Sequence, residues 1–193
     1  MKIGIISDTH GLLRPEAVER LAGVDHIIHA GDIGRPDVIA DLRRIAPVTA
    51  VRGNIDRDEW AAGYPQTELV KLGGRFFYVL HNRAELDVDP VAAGIDVVVS
   101  GHSHQPKIET VDGVVYLNPG SAGPRRFSLP IALATIDLSG KEIRPFILTY
   151  DGQPSYTVSI MEFEDGKVAR ETQYFGDPFE PGPSRAQWVE RMP

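Results

Sequence analysis

Over its first 54 residues the chain alternates three short apolar runs, at 2–6, 25–30 and 47–52, with two segments of helical periodicity. Pro15 suits the first turn of a helix, and Ala17, Val18 and Leu21 give the first helical segment its apolar face. Val38, Ile39, Leu42 and Ile45 do the same for the second, at 36–46. A βαβαβ alternation specifies a parallel sheet. Such sheets bind ligands beyond the carboxyl ends of their strands. Here those ends carry Ser7-Asp8-Thr9-His10-Gly11, Gly31-Asp32 and Gly53-Asn54. Asp8 and His10 stand two residues apart, so in extended backbone both face the same side. A carboxylate at the end of a buried strand is costly unless something compensates it, and a divalent cation would do so. Taken alone, the first motif fits equally well an Asp capping a turn beside a surface His. Three successive strands that each end in a potential ligand favour the metal reading.

The rest of the chain adds donors in the same way. Segments 68–72 and 75–80 flank Gly73-Gly74 as a hairpin, and the second ends at His81. An apolar strand at 95–100 ends in Gly101-His102-Ser103-His104. A second hairpin, 107–111 with 114–117, turns at Asp112-Gly113. The turn Asn118-Pro119-Gly120-Ser121 follows, with further strands expected at 131–137 and 141–143. A short helix is expected at 88–93, and 56–65 reads as a surface loop whose Trp60 and Tyr64 serve packing. Of six histidines, His10, His81, His102 and His104 directly follow expected strands. His26 and His29 lie within one and read as ordinary strand residues, His29 being close enough to Asp32 to support it.

The candidate ligands are therefore Asp8, His10, Asp32, Asn54, His81, His102 and His104. Seven are too many for one transition metal and suit two, held roughly 3.5–4 Å apart by a bridging carboxylate. The absence of cysteine excludes disulfides, thiolate zinc sites and cysteine nucleophiles. The remaining donors suit manganese, iron, zinc, cobalt or nickel better than copper(I). A net charge of −7 argues against a long nucleic acid as partner. A small anionic substrate would need local positive charge, which bound metals supply. With no basic-then-apolar leader and no apolar run long enough to span a bilayer, the expectation is a cytoplasmic protein with no membrane partner.

The order Asp-x-His, Gly-Asp, Gly-Asn, His, Gly-His-x-His resembles that of the calcineurin-like metallophosphoesterases, and among them the small YfcE-type phosphodiesterases, over about residues 1–144. The resemblance implies an α/β fold: a two-sheet β-sandwich flanked by helices in four layers, α/β/β/α. It implies two divalent ions, manganese first. One is held by Asp8, His10, Asp32 and His104, the other by Asp32, Asn54, His81 and His102, with Asp32 bridging. It implies hydrolysis of a small phosphodiester by in-line attack of a metal-bound hydroxide, with Asn54, His10 and Asp32 catalytic and Asn54 touching the phosphate. Two departures stand out. Ile55 occupies the place where many relatives carry a leaving-group His, although the YfcE-type group commonly lacks it. Activated aryl diesters should therefore react better than esters of basic alkoxides, with His10 as a partial substitute. Asn82 stands where similar proteins often have Gly. The rival readings are a phosphomonoesterase on the same site and a non-catalytic protein-binding scaffold of the same fold, as in the retromer subunit. The complete ligand set favours the enzyme.

Residues 145–193 read as an extension, with four basic against eight acidic side chains. Strands are expected at 156–163 and 167–174, then a Pro-rich link at 178–183 and a helix from Ser184, a good N-cap, to about Arg191. The stretch from Tyr150-Asp151-Gly152 through Thr172-Gln173-Tyr174-Phe175 to Trp188-Val189-Glu190 resembles the C-terminal part of SnoaL-like domains, of the nuclear transport factor 2 superfold. The earlier part of that fold is missing, so no enzymatic role carries over. A hairpin with free edges seeks a partner. The extension is expected either to extend a sheet of the main domain or to pair with another copy in a homo-oligomer, a fused remnant without function being the alternative.

Overall fold

The computed structural model describes residues 1–126, 128–140, 142–150, 156–164 and 167–176. In chain order its elements are β1 (Lys2–Ile6), α1 (Pro15–Leu21), β2 (His26–His29), α2 (Pro36–Leu42), β3 (Val48–Ala50), β4 (Thr67–Leu72), β5 (Arg75–Leu80), β6 (Val97–Val99), β7 (Lys107–Val111), β8 (Val114–Asn118), β9 (Ala132–Asp137), β10 (Arg144–Thr149), β11 (Tyr156–Glu164) and β12 (Lys167–Gly176). They form a five-stranded sheet, β10-β9-β1-β2-β3, and a seven-stranded one, β11-β12-β7-β8-β6-β5-β4. In the first, β1, β2 and β3 are parallel, as the alternation predicts, and β9 closes antiparallel on β1. In the second, β6 runs parallel to both β5 and β8, between the two hairpins.

Side-chain alternation explains the layering. Ile3 and Ile5 of β1 meet Phe77, Val97, Val99 and Leu117 between the sheets. Ile6, at the end of the same strand, joins Leu21, Ile39 and Leu42 beneath the helices. The result is the expected α/β sandwich. Phe77 is fully buried in the inter-sheet core. Phe77→Ala should lower unfolding stability by about 3–5 kcal/mol, read from urea midpoints, because the neighbouring strands cannot collapse into the space.

Several local expectations shift. The 88–93 segment is a single turn rather than a helix. Asp89 Oδ1 accepts from the N–H groups of Val91 and Ala92, at 3.0 and 3.2 Å, and Gly94 ends the turn at φ +69°. Among the described residues, turns therefore cover the outer face of the second sheet. The strand expected at 141–143 forms instead at Arg144–Thr149, paired with β9. The 56–65 loop contains a 3₁₀ turn, Glu59–Gly63, and Trp60 and Tyr64 stack edge-to-face with each other and pack against the helix-side core. Of the two arrangements open to the C-terminal hairpin, the chain adopts sheet extension, with β12 pairing antiparallel to β7. The expected link at 178–183 and helix at 184–191 lie outside the described residues. Among those described, no helix is long and apolar enough to cross a membrane.

Candidate metal centre

The carboxyl ends of β1, β2, β5 and β6 converge, and the backbone there is held in an unusual state. Six non-glycine residues have positive φ among those described, and five are candidate ligands: Asp8 (54°), His10 (46°), Asp32 (53°), His102 (67°) and His104 (58°). Left-handed backbone costs an ordinary residue roughly 1–2 kcal/mol. The surrounding structure must therefore impose it, and such outliers cluster at functional sites. The loops are locked to one another by backbone hydrogen bonds, from Asp8 N–H to Gly31 O at 3.0 Å and from His10 N–H to Asp32 O at 2.9 Å. Two glycines permit the close approach: a Cβ at Gly53 would overlap Asp32 Oδ1, and one at Gly101 would overlap Ser7 Oγ.

The seven predicted residues come together. His104 Nε2 lies 3.1 Å from Asp8 Oδ1 and 3.3 Å from His10 Nε2. Asp32 stands between the two halves, with Oδ1 3.3 Å from His81 Nε2 and Oδ2 3.9 Å from His10 Nε2. Asn54 Oδ1 is 3.2 Å from His81 Nε2 and 3.1 Å from His102 Nδ1. Two triads have donor atoms close enough to share an ion, Asp8–His10–His104 and Asp8–Asp32–His81. Asp8 is thus common to both groupings.

Electrostatics follow from this crowding. Burial alone would raise the Asp32 carboxyl, but the hydrogen bond and charge of His81, the Ile55 N–H and His10 together hold it below the usual range. Burial would lower His81, yet Asp32 outweighs it and raises the imidazole. His10 is lowered, chiefly by burial, against the pull of Asp32 and Asp8. His81 Nδ1 donates to the Ala30 carbonyl at 2.8 Å, which orients the ring with Nε2 toward Asp32.

The donor set fits a divalent cation on one observation above all. Asp8 Oδ1 is buried with no hydrogen-bond partner. His104 is near it, but without hydrogen-bond geometry. An unpaired buried carboxylate oxygen is costly, and the Nε2 atoms of His10 and His104 meet at 3.3 Å beside it. A shared cation accounts for all three.

Other residues have structural parts that the sequence hid. Asp56 is only 4% exposed. Its carboxylate accepts from Ile33, Gly34 and Gly53 N–H at 3.0, 2.8 and 2.8 Å, clamping the loops after β2 and β3 together. His29 is buried, and burial lowers its pKa to about 4. Its Nε2 meets Thr9 Oγ1 at 3.0 Å, so it supports the Asp8–His10 loop rather than Asp32 directly. His26 meets Thr49 Oγ1 at 2.9 Å, an ordinary strand contact. Arg126 lines a cavity of about 300 Å³ over His10, Asp32 and His104, with Ile55 and Leu129 on its wall. The only sequence signal for Arg126 is the Arg125-Arg126 pair a few residues after the Asn118–Ser121 turn.

A sandwich with this ligand cluster at its strand ends defines a metal-dependent phosphoesterase. The family model of the calcineurin-like phosphoesterase superfamily domain matches residues 1–141. The chain belongs to that superfamily. It is 34% identical over 155 residues to a probable metallophosphoesterase of Methanothermobacter thermautotrophicus, covering 74% of this chain and 89% of that one. Among solved structures it is similar to an archaeal phosphodiesterase, at TM-score 0.65 and 29% identity, covering 77% of this chain and 100% of that one. It also shares its fold with zinc-bound Vps29 from Entamoeba histolytica, at TM-score 0.67 and 22% identity, covering 79% of this chain and 94% of that one. The likeness of the tail to SnoaL-like domains draws no support from these comparisons.

Proposed function

We propose that the protein is a phosphodiesterase that hydrolyses a small phosphodiester at a two-metal centre. Asp8, His10, Asp32 and His104 hold one ion, and Asp32, Asn54, His81 and His102 hold the other, manganese being the first choice. The two triads that share Asp8, whose buried Oδ1 has no hydrogen-bond partner, carry this reading. Divalent cations held there would supply positive charge for the phosphoryl oxygens and would acidify a water for attack on phosphorus. Water oxygen forms the new P–O bond, the ester P–O bond breaks, and a proton from that water ends on the departing alkoxide. Asn54 aims its carbonyl into the ligand cluster, leaving its amide to donate to the phosphate. Arg126 presents a permanently charged, planar guanidinium to the same group. Ile55 and Leu129 give the site an apolar wall that suits the second organic substituent of a diester better than the dianionic oxygens of a monoester. Ile55 cannot deliver a proton, so good leaving groups are favoured.

The test is hydrolysis of bis-p-nitrophenyl phosphate beside p-nitrophenyl phosphate. Chelation should reduce diester turnover by at least a hundredfold, and manganese should restore it. Preference for the monoester would make the protein a phosphatase. No turnover of either, with metal bound, would leave the scaffold function. The exposed Ile160 and Met161 lie on β11, the outer strand of its sheet. They support pairing of two copies along that edge, which sedimentation analysis reads directly.

A further inference from the structure

A second cavity, of about 200 Å³, opens beside the metal centre, and the two share His102 and Ser103. Its wall includes Asn82, Arg83, Lys107 and Tyr116, none of which belongs to the ligand cluster. Its charge is organised by one carboxylate. Glu109 is 1% exposed. Its Oε2 meets Arg83 Nη1 at 2.6 Å and Lys107 Nζ at 3.2 Å. Its Oε1 meets Arg170 of β12, through Nε at 2.9 Å and again through Nη2. Glu109 is held at a pKa of about 2, burial being outweighed by these three cations, so it stays charged at any ordinary pH. Glu109 thus fixes Arg83 and Lys107 in place on the wall of the cavity.

Arg83 is positioned rather than merely present. Its guanidinium lies over the Tyr116 ring, 4.2 Å from the centroid. Its backbone belongs to the 3₁₀ turn Arg83–Glu85, capped by Asn82, whose Oδ1 accepts from Ala84 N–H at 3.1 Å. The residue that departs from the Gly of similar proteins thus fixes the turn that presents the arginine. In a chain of net charge −7, two cationic side chains on the wall of a cavity that adjoins the metal centre favour an anionic group there.

We propose that this cavity is a subsite for a second phosphate on the substrate, so that the enzyme prefers phosphodiesters in which one esterified alcohol itself carries a terminal phosphate. Arg83 supplies bidentate donors to the phosphate oxygens, and Lys107 adds a point charge. The inference rests on the phosphodiesterase reading, and the experiment separates the two.

The dinucleotides TpT and pTpT, which differ only in the 5′-terminal phosphate, are compared as substrates of the full chain with manganese. Bis-p-nitrophenyl phosphate runs in parallel. The kcat/KM for pTpT should exceed that for TpT at least tenfold, and the ratio should shrink as salt screens the contact. Within Arg83→Gln and within Lys107→Gln the pTpT/TpT ratio should drop toward one, while Arg83→Lys should keep part of it. Because each ratio is internal to one protein, general loss of activity or stability cancels. Turnover of bis-p-nitrophenyl phosphate with a wild-type ratio near one overturns the subsite alone. A high ratio that survives both Gln variants overturns its location. Failure to turn over any diester overturns the phosphodiesterase reading instead.

Discussion

Asp32→Asn is expected to lower diester hydrolysis by about a thousandfold while the protein stays folded. Asp32 is 3% exposed, with one carboxylate oxygen 3.9 Å from His10 Nε2 and the other 3.3 Å from His81 Nε2. Asparagine has the same shape and still accepts the Ile55 N–H that reaches Oδ1 at 3.1 Å. The backbone clamp by Asp56 is untouched, so the loops should keep their form. What changes is charge. An amide oxygen is a far poorer ligand for a hard divalent cation than a carboxylate. Loss of residues that merely support ligands typically costs 10–100-fold in metal affinity or activity, and loss of a bridging ligand should exceed that. Two readings are needed together: metal per chain by elemental analysis, and kcat/KM on bis-p-nitrophenyl phosphate. Lower metal content with lost activity supports the bridging role. Full metal content with full activity would remove Asp32 from the centre.

The cluster of candidate ligands was legible in the sequence because the signal is local. A strand end, a Gly and a donor sit within a few residues of one another, and a parallel sheet places such ends side by side. The backbone state that aims those donors was not legible. Five candidate ligands adopt positive φ, and nothing in Asp8 or His104 as residue types demands it; contacts from distant loops impose it. Asp56 shows the same limit from the other side. It stands in a polar stretch that reads as surface, and its burial becomes visible only when the loops after β2 and β3 meet over its carboxylate. Arg126 reaches the cavity from a segment with no regular pattern. The 88–93 segment had helical composition but too little length between the Asp89 cap and Gly94. Glu109 illustrates dependence on topology. On an edge strand it would be one of the charges that blunt unwanted pairing; with β12 laid against β7 it becomes a buried carboxylate.

That burial makes Glu109→Gln the substitution with the largest expected effect on stability outside the hydrophobic core. Gln is nearly the same size, so packing is kept, but Arg83, Lys107 and Arg170 are left around a neutral amide. Breaking a buried ion pair from one side costs about 3–5 kcal/mol. The three cations here are partly exposed, with side-chain exposures of 42%, 29% and 44%, so about 3 kcal/mol at neutral pH is the expected loss. The pH dependence identifies the cause. The folded-state pKa of Glu109 is depressed to about 2 from an ordinary 4.5. A depressed carboxylate contributes stability that is complete above the unfolded value and is lost as pH falls through the folded one. Wild-type stability from this group should therefore decline between about pH 4.5 and pH 2, while Glu109→Gln should lack that part of the slope. Urea midpoints at neutral pH and across that window should show two curves that are far apart when neutral and converge in acid. Hydrogen exchange should show the β12 amides opposite Glu109 becoming less protected in the variant, because Thr172 pairs with Glu109 in register. A constant gap between the two curves at every pH would mean that Glu109 acts by packing and not by charge. It would also remove the electrostatic basis for the cation cluster facing the second cavity.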